Sequence, residues 1–224
     1  MTSLLIGYIG TVFAYIIPLF IVYHFVYNRS GGVFSLLLLF AMTYLVGVLA
    51  CLLFYRMAVL GKSCQIADMP RSTVLKVMGT SFGAYMIVGI TIFAIAFNPK
   101  LVKIFENTVG FTYIQLFGAN DFANEIFRSK SLGELKENNA FNYGFLLTAF
   151  DVKNIKQFVQ ASSSPTTDTS KLPFDFEFNN LDKANIEKLE EYVYTKHRIG
   201  HFTWVYITSI LALTISFVAM TMYN

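Results

Sequence analysis

Hydrophobic positions form four long runs along the chain, and polar stretches separate them. None of the runs contains Asp, Glu, Lys or Arg, and they cover residues 3–27, 33–55, 77–97 and 202–224. A helix needs about 20 apolar residues to cross the hydrocarbon core of a bilayer. We therefore predict four transmembrane helices, three of them within a segment at residues 1–97 and the fourth at residues 202–224.

Residues 98–201 are more polar and alternate amphipathic patterns with turn signals. In Lys100–Gly118 apolar residues recur three and four positions apart, which predicts a helix with one apolar face. That predicted face consists of Leu101, Ile104, Phe105, Thr108, Phe111 and Ile114. The helix follows the third run and is basic at its start, which favours a position along the membrane surface.

Further elements are predicted in the rest of this stretch. Asp121–Phe127 and Phe145–Ala161 have helical patterns, and Phe174–Phe178 alternates apolar and polar residues like a short strand. Asn180 is predicted to cap a final helix, with Asp182 in its first turn, that continues into the fourth run. The predicted fold class is an all-α membrane protein with a mostly helical extramembrane domain, residues 98–201, inserted between spans three and four.

Composition agrees with a membrane protein. Hydrophobic residues make up 55% of the chain and charged residues 14%, whereas soluble domains carry roughly 25% charged residues. The net charge of +3 is small and dispersed, so we expect no nucleic-acid partner. The two cysteines, Cys51 and Cys64, are too few for a disulfide framework.

Small residues recur on each predicted span, where they allow close helix packing in lipid. The predicted packing residues are Gly7, Gly10, Gly47, Gly79, Gly83 and Ser216. Two interpretations stay open: a compact bundle within one chain, or contact with a neighbouring subunit in a homo- or hetero-oligomer.

Basic and aromatic residues flank the runs, as is typical of a membrane–water interface. The predicted interface residues are Lys100, Lys103, Lys196, Arg198 and Trp204. The basic residues of the connecting segments divide almost evenly between the two sides of the membrane, so the positive-inside rule leaves the orientation open.

Three short motifs suggest chemistry and are better explained otherwise. Gly79-Thr-Ser-Phe-Gly83 matches a nucleophile elbow but lies inside an apolar helical run. Thr108-Val-Gly-Phe111 resembles part of a potassium filter without its second glycine. Gly61-Lys62-Ser63 lacks the leading glycine and the preceding strand of a phosphate-binding loop.

Two histidines and a carboxylate are candidate metal ligands. His197 and His201 share a helix face with Glu190, which could form a metal trio, but we expect these histidines at the water boundary instead. The uncharged spans argue against transport through a buried charge. We expect no catalytic, cofactor or metal site and no enzymatic activity.

A lipid-handling enzyme or small-molecule channel is a further possibility. Its polar groups would be Glu106, Asn107, Asp121 and Glu125, which we expect to be ordinary helix-surface and turn residues.

Two segments carry a family resemblance: Phe105-Glu-Asn-Thr-Val-Gly-Phe111, which follows Asn98-Pro99, and Ile199-Gly-His-Phe-Thr-Trp-Val-Tyr206. They resemble segments of multi-span proteins in the internal membrane of large icosahedral double-stranded DNA viruses of the algal-virus type. The resemblance implies a structural protein that anchors the minor capsid layer to an underlying membrane derived from the host endoplasmic reticulum. Its partners would be the lipid bilayer and other capsid proteins. An accessory subunit of an organellar membrane complex is the alternative.

Overall fold

The structure, a computed structural model, describes residues 2–27, 33–56, 69–129, 143–152, 154–155, 176–178 and 182–222. In these residues the chain is nearly all helical, with one pair of short strands. Contacts divide the chain into two compact units. We call Met1–Pro99 together with Phe202–Asn224 the span unit, and Lys100–His201 the middle unit.

Four helices are long and apolar enough to cross a membrane. They are α1 (Thr2–Tyr27), α2 (Val33–Phe54), α3 (Arg71–Phe97) and the helix Lys183–Met222, which becomes α7 in chain order. The four predicted spans are therefore confirmed as helices, and these helices are compatible with a multi-pass integral membrane protein.

The third span begins earlier than predicted, at Arg71 instead of residue 77. The carbonyl of Pro70 accepts hydrogen bonds from the backbone of Thr73 and Val74, which starts the helix within the polar stretch. Polar residues can occupy a helix end. The length of the apolar run therefore underestimates the length of α3.

In the span unit, α1 packs on α2 and α2 packs on α3. Phe54 of α2 stacks on Phe217, with ring centroids 4.1 Å apart. Large apolar side chains point outward as well, including Phe13, Phe34 and Ile90. Soluble proteins rarely expose contiguous apolar surface, and a lipid environment would cover it.

The middle unit begins with α4 (Pro99–Phe105), a π-helical segment (Glu106–Gly110) and α5 (Phe111–Leu116), which follow one another without a break. The predicted helix Lys100–Gly118 is thus helical through Leu116 but not a regular α-helix. Gly118 ends it with a φ of 83°, a conformation that glycine adopts without a Cβ penalty.

Next come α6 (Ala119–Ile126) and strand β1 (Phe127–Ser129), which pairs antiparallel with β2 (Phe176–Phe178). The predicted helix at Asp121–Phe127 and the predicted strand at Phe174–Phe178 are confirmed within their described residues, except that Phe127 belongs to β1.

The predicted helix Phe145–Ala161 is wrong in its first part. Tyr143–Thr148 forms a 3₁₀ helix, and a new helical turn starts after Asp151. Asp151 and Asn154 exchange backbone-to-side-chain hydrogen bonds of 2.6 and 2.9 Å, and this reciprocal cap separates the two pieces. The remainder of the predicted helix after residue 155 lies outside the described residues.

Helix α7 (Lys183–Met222) starts at a cap and runs through Lys196 and Arg198 into the fourth apolar run, as predicted. The cap is Asp182, whose Oδ1 accepts a hydrogen bond of 2.7 Å from the amide of Asn185. The predicted cap, Asn180, lies outside the described residues.

The middle unit has its own hydrophobic core. Side chains of α5, α6, the 3₁₀ helix and α7 meet there. Its largest members are Phe122, Phe127, Tyr143, Leu147, Phe150 and Leu189. The amide of Tyr143 donates to Asn124 Oδ1 at 2.9 Å, which ties the 3₁₀ helix to α6.

Candidate functional site: a buried ion pair in the middle unit

The π-helical segment begins at Glu106, whose carboxylate is buried in the middle unit. Along this part of the chain Val102, Glu106, Gly110 and Ile114 are buried, at intervals of four residues. The predicted apolar face is wrong in part, because the side chain of Ile104 is 56% exposed. A π-helical turn shifts the residues after it around the helix axis, and such turns are frequent at functional sites.

Lys196 of α7 meets this carboxylate with a fully buried side chain. Its Nζ donates to the carbonyl oxygens of Leu147 and Phe150, both at 2.8 Å. It also lies 3.3 Å from Asn107 Oδ1 and 3.4 Å from Glu106 Oε1. An ammonium group has three protons: two are donated to the carbonyls and the third to Asn107, while Glu106 Oε1 forms an ion pair with Nζ.

The carbonyls of Leu147 and Phe150 account for the presence of a lysine at position 196. Leu147 and Phe150 lie at the end of the 3₁₀ helix, where backbone carbonyls lack partners within the helix. A positive charge at the carbonyl end of a helix is favourable. Lys196 therefore holds the 3₁₀ helix, α7 and the π-helical segment together through one atom.

His197 completes the contacts of the carboxylate. Its Nδ1 lies 3.2 Å from Glu106 Oε2, so the two oxygens of Glu106 face two different partners on α7. Burial alone would raise the pKa of Glu106, but the hydrogen bond to His197 and the charge of Lys196 outweigh it and hold the pKa below its usual value. The carboxylate is therefore ionised at neutral pH.

Burial lowers the pKa of the two buried basic groups, Lys196 and His201, because it disfavours their charged forms. It lowers the pKa of Lys196, and the nearby charge of Glu106 opposes that effect. His201, one turn further along α7, is buried as well, and burial lowers its pKa to about 3. His201 is therefore neutral at physiological pH.

Two glycines allow α7 and the π-helical segment to approach this closely. A Cβ atom added at Gly200 would lie 2.6 Å from the backbone nitrogen of Glu106, and one at Gly110 would overlap the carbonyl of Lys196. Backbone atoms meet at both positions, so no rotation of a side chain could make room. The segments 105–111 and 199–206, each singled out by the sequence analysis, touch at these glycines.

The structure places the predicted interface residues in different environments. Lys100 is exposed, and Trp204 and Arg198 are half-buried. Lys103 forms an ion pair of 2.9 Å with Asp151, the residue that caps the helical turn after it. Lys196 is instead enclosed in the core with Glu106, because two backbone carbonyls and two side-chain oxygens converge on its Nζ.

The expectation of an ordinary surface position is wrong for Glu106, which is buried, and holds for Asp121 and Glu125, which are exposed. Asn107 is exposed but also contacts Lys196. His201 is buried, with 4% of the residue exposed, and its position at the water boundary stays a prediction. In the described part of the chain no three His, Cys, Asp or Glu side chains are grouped closely enough to hold a metal ion.

The predicted packing residues of the span unit also differ from one another. Gly47 is buried against Tyr85 of α3, and Ser216 is buried and donates to the carbonyl of Ala212 at 2.8 Å. A Cβ added at Gly10, Gly79 or Gly83 would meet no atom of the described chain within 4 Å. Gly7 lies within α1.

Tyr85 shows how polar groups join the four helices. Its hydroxyl donates to that of Tyr15 on α1 at 3.2 Å, and Tyr15 lies beside Ser209 of α7. Cys51 of α2 lies beside Ser81 and Ser216, so each of the four helices contributes to this cluster. Sequence reasoning missed it because its hydroxyls and thiol lie in four separate apolar runs and meet only when the helices pack.

We expect Gly47→Ala to destabilise the span unit by about 1–3 kcal/mol, because the new methyl group would displace a fully buried tyrosine. Reversible unfolding of the full chain in mixed detergent micelles, followed by circular dichroism, measures this. Gly79→Ala is the matched control and should leave stability unchanged or raise it slightly.

We expect acid to destabilise the middle unit before the span unit. The unfolded chain protonates His201 near its ordinary pKa of 6.5, whereas the folded unit does so at about 3. The unfolded state therefore binds more protons in this range, and stability falls by about 1.4 kcal/mol per pH unit as the pH drops below 6.5. Protonation of Glu106 adds to the loss below pH 4.5.

Hydrogen exchange of the full chain from pH 7 to pH 4, corrected for the intrinsic pH dependence of exchange, follows this loss in each unit. His201→Gln should flatten the dependence between pH 6 and pH 4.5. An unchanged slope in that variant would show that His201 is not the group that titrates.

Comparison of the chain with protein-family models, with curated proteins and with solved structures found no match.

Proposed function

We propose that this protein is a non-enzymatic membrane anchor whose middle unit binds a second structural protein. The observation that carries the proposal is the environment of Lys196. All three of its protons are directed at acceptors of the middle unit, and the side chain is fully enclosed. A lysine bound in this way stabilises a fold and has no proton left for a substrate.

The span unit supports the same role. Its four apolar runs contain no Asp, Glu, Lys or Arg, whereas transport and proton-transfer proteins keep such groups within the membrane as binding sites. Hydroxyls and a thiol, all uncharged, are buried between its helices, and the charged Arg56 is buried just beyond the end of α2. Such uncharged groups hold helices together in lipid.

The resemblance of segments 105–111 and 199–206 gives the proposal its biological setting. We propose the internal membrane of a large DNA virus, with a minor capsid protein bound by the middle unit. The resembling segments form the buried contact around Glu106 and Gly200, which makes them structural elements of the middle unit. An accessory subunit of an organellar complex would have the same architecture and a different partner.

Chemical cross-linking of intact virions or native membranes, followed by mass spectrometry, tests the proposal. We expect reproducible cross-links from exposed lysines of the middle unit, such as Lys183 and Lys188, to one shell protein. Cross-links only to respiratory or translocation subunits would move the protein to an organelle. A middle unit that cross-links to no other protein would contradict the anchoring role.

A further inference from the structure

A cavity of about 170 Å³ lies at one end of the helices of the span unit. The end of the second apolar run, the first three turns of α3 and the last turn of α7 meet around it. Seven side chains line it: Tyr55, Ser72, Thr73, Lys76, Val77, Thr80 and Met220. Five of the seven are polar, so the cavity differs from the apolar outer surface of the spans.

The charge at this end of the span unit is positive. Lys76 is the charged member of the lining. Residues 55–76, which connect α2 to α3 and supply most of the lining, contain one acidic residue, Asp68, and four basic residues, Arg56, Lys62, Arg71 and Lys76. An excess of one sign of charge around a cavity attracts ligands of the opposite sign, so an anion is the expected ligand.

Two hydroxyl groups of the lining can donate hydrogen bonds to that anion. Within the described part of the chain the hydroxyls of Ser72 and Thr73 donate to no acceptor, whereas the hydroxyl of Thr80 donates to the carbonyl of Lys76 at 2.9 Å. Ser72 and Thr73 precede Lys76 by four and three residues, so all three lie on one side of α3. Hydroxyl and ammonium groups are common donors to phosphate oxygens. A phosphate group therefore fits the cavity chemically.

The position of the cavity along α3 indicates a lipid as the source of the phosphate. From Val77 to Phe97 the helix is apolar and rises about 30 Å, which matches the hydrocarbon thickness of a bilayer. Lys76 immediately precedes this stretch and Thr73 precedes it by about one turn, which is the level of lipid headgroups. Tyr55 lies at the end of the second apolar run, as is typical of aromatic residues at this boundary.

From these observations we propose that the cavity binds the phosphate of an anionic phospholipid. The hydroxyls of Ser72 and Thr73 donate hydrogen bonds to the phosphate oxygens. Lys76 also interacts within the chain, and the proposal requires only its positive charge beside the phosphate. The cavity is smaller than the roughly 300–1,000 Å³ of a site for a drug-sized ligand, so the acyl chains stay in the bilayer. The proposal rests on the membrane location of the protein, and failure of the cross-linking experiment would leave it unchanged.

Reconstituted full-length protein provides the test. Electron spin resonance measures the association of spin-labelled phosphatidic acid and of spin-labelled phosphatidylcholine with the protein in phosphatidylcholine vesicles at physiological ionic strength. We expect wild type to prefer phosphatidic acid. Lys76→Gln, and the double variant Ser72→Ala with Thr73→Val, should each reduce that preference about fivefold. Lys76→Arg keeps the charge and should retain most of the preference.

The double variant is the sharper test, because it removes two hydroxyls and leaves every charge in place. Its matched control is Thr91→Val, which removes a hydroxyl from the same helix outside the cavity and should leave the preference unchanged. Arg71→Gln removes a positive charge next to Ser72 that does not line the cavity, and it should reduce the preference less than Lys76→Gln does. Circular dichroism of each variant checks that the helices remain folded.

Three results would overturn the proposal. One is equal association of both lipids with wild type. Another is an unchanged preference in the folded double variant, which would show that surface charge alone attracts the lipid. The last is loss of the preference when inorganic phosphate replaces chloride at constant ionic strength, which would assign the cavity to free phosphate.

Discussion

Replacing Glu106 with leucine is expected to destabilise the middle unit by about 3–5 kcal/mol, because the ammonium group of Lys196 would stay buried without its carboxylate. Both side chains are almost completely enclosed, with exposed fractions of 3% for Glu106 and 0% for Lys196. A single unpaired charge in that setting must be desolvated, lose its proton or open the core to water, and each of these costs free energy. Most of the loss should therefore appear as local unfolding around the π-helical segment.

Hydrogen exchange of the full chain in detergent micelles measures this effect amide by amide. The matched control is Glu187→Leu, which removes one partner of the exposed pair Lys183–Glu187, whose side chains are 92% and 67% exposed. Such surface pairs contribute about 0–1 kcal/mol, so the control should change little. Equal effects of the two variants would contradict the structural importance of the buried pair.

The double variant Glu106→Leu with Lys196→Met separates the charge from the capping role. Replacing both partners of a buried pair by apolar residues is often neutral, so part of the lost stability should return. Recovery should be incomplete, because the carbonyls of Leu147 and Phe150 would lose their donor. Full recovery would show that capping of the 3₁₀ helix contributes nothing.

Gly200→Ala is expected to cost about 3 kcal/mol by overpacking. The added Cβ would lie 2.6 Å from the nitrogen and 2.7 Å from the Cα of Glu106, and real Cβ atoms essentially never approach backbone atoms so closely. The π-helical segment would have to move away from α7, and Glu106 would move with it. We expect weaker protection from hydrogen exchange in both segments.

A control for helix propensity is needed, because alanine stabilises a helix relative to glycine by up to about 1 kcal/mol. Gly83→Ala supplies it, since a Cβ there meets no atom of the described chain within 4 Å. Gly110→Ala should resemble Gly200→Ala, since its Cβ would overlap the carbonyl of Lys196. A Gly200→Ala variant as stable as wild type would show that the two segments are not packed this closely.

The four spans could be predicted because each is a continuous apolar run, and helix is the only structure by which a single such run can cross lipid. The first turns of α3 could not, since Arg71, Ser72, Thr73 and Lys76 make the stretch after Pro70 mostly polar. The boundary between the 3₁₀ helix and the helical turn after Asp151 depends on a reciprocal cap. In this cap Asp151 and Asn154 each accept a hydrogen bond from the other's backbone amide. Hydrophobic periodicity contains no information about such a cap.

The buried pair was not predictable for a different reason. Glu106 and Lys196 each lie in a segment whose local pattern is typical of a solvent-facing helix, and the pairing is visible only once distant segments are brought together. One signal was present: Val102, Glu106, Gly110 and Ile114 recur every four residues, and a glycine in that series indicates close approach of another backbone.

The distance along the chain between Glu106 and its partner affects how the protein is made. The carboxylate is synthesised about 90 residues before Lys196, and at about 5–20 residues per second it waits roughly 5–18 s for the lysine. Until then the π-helical segment lacks the charge that compensates its burial. The last apolar run is translated soon after Lys196, so neither the middle unit nor the span unit can be completed before this part of the chain is made.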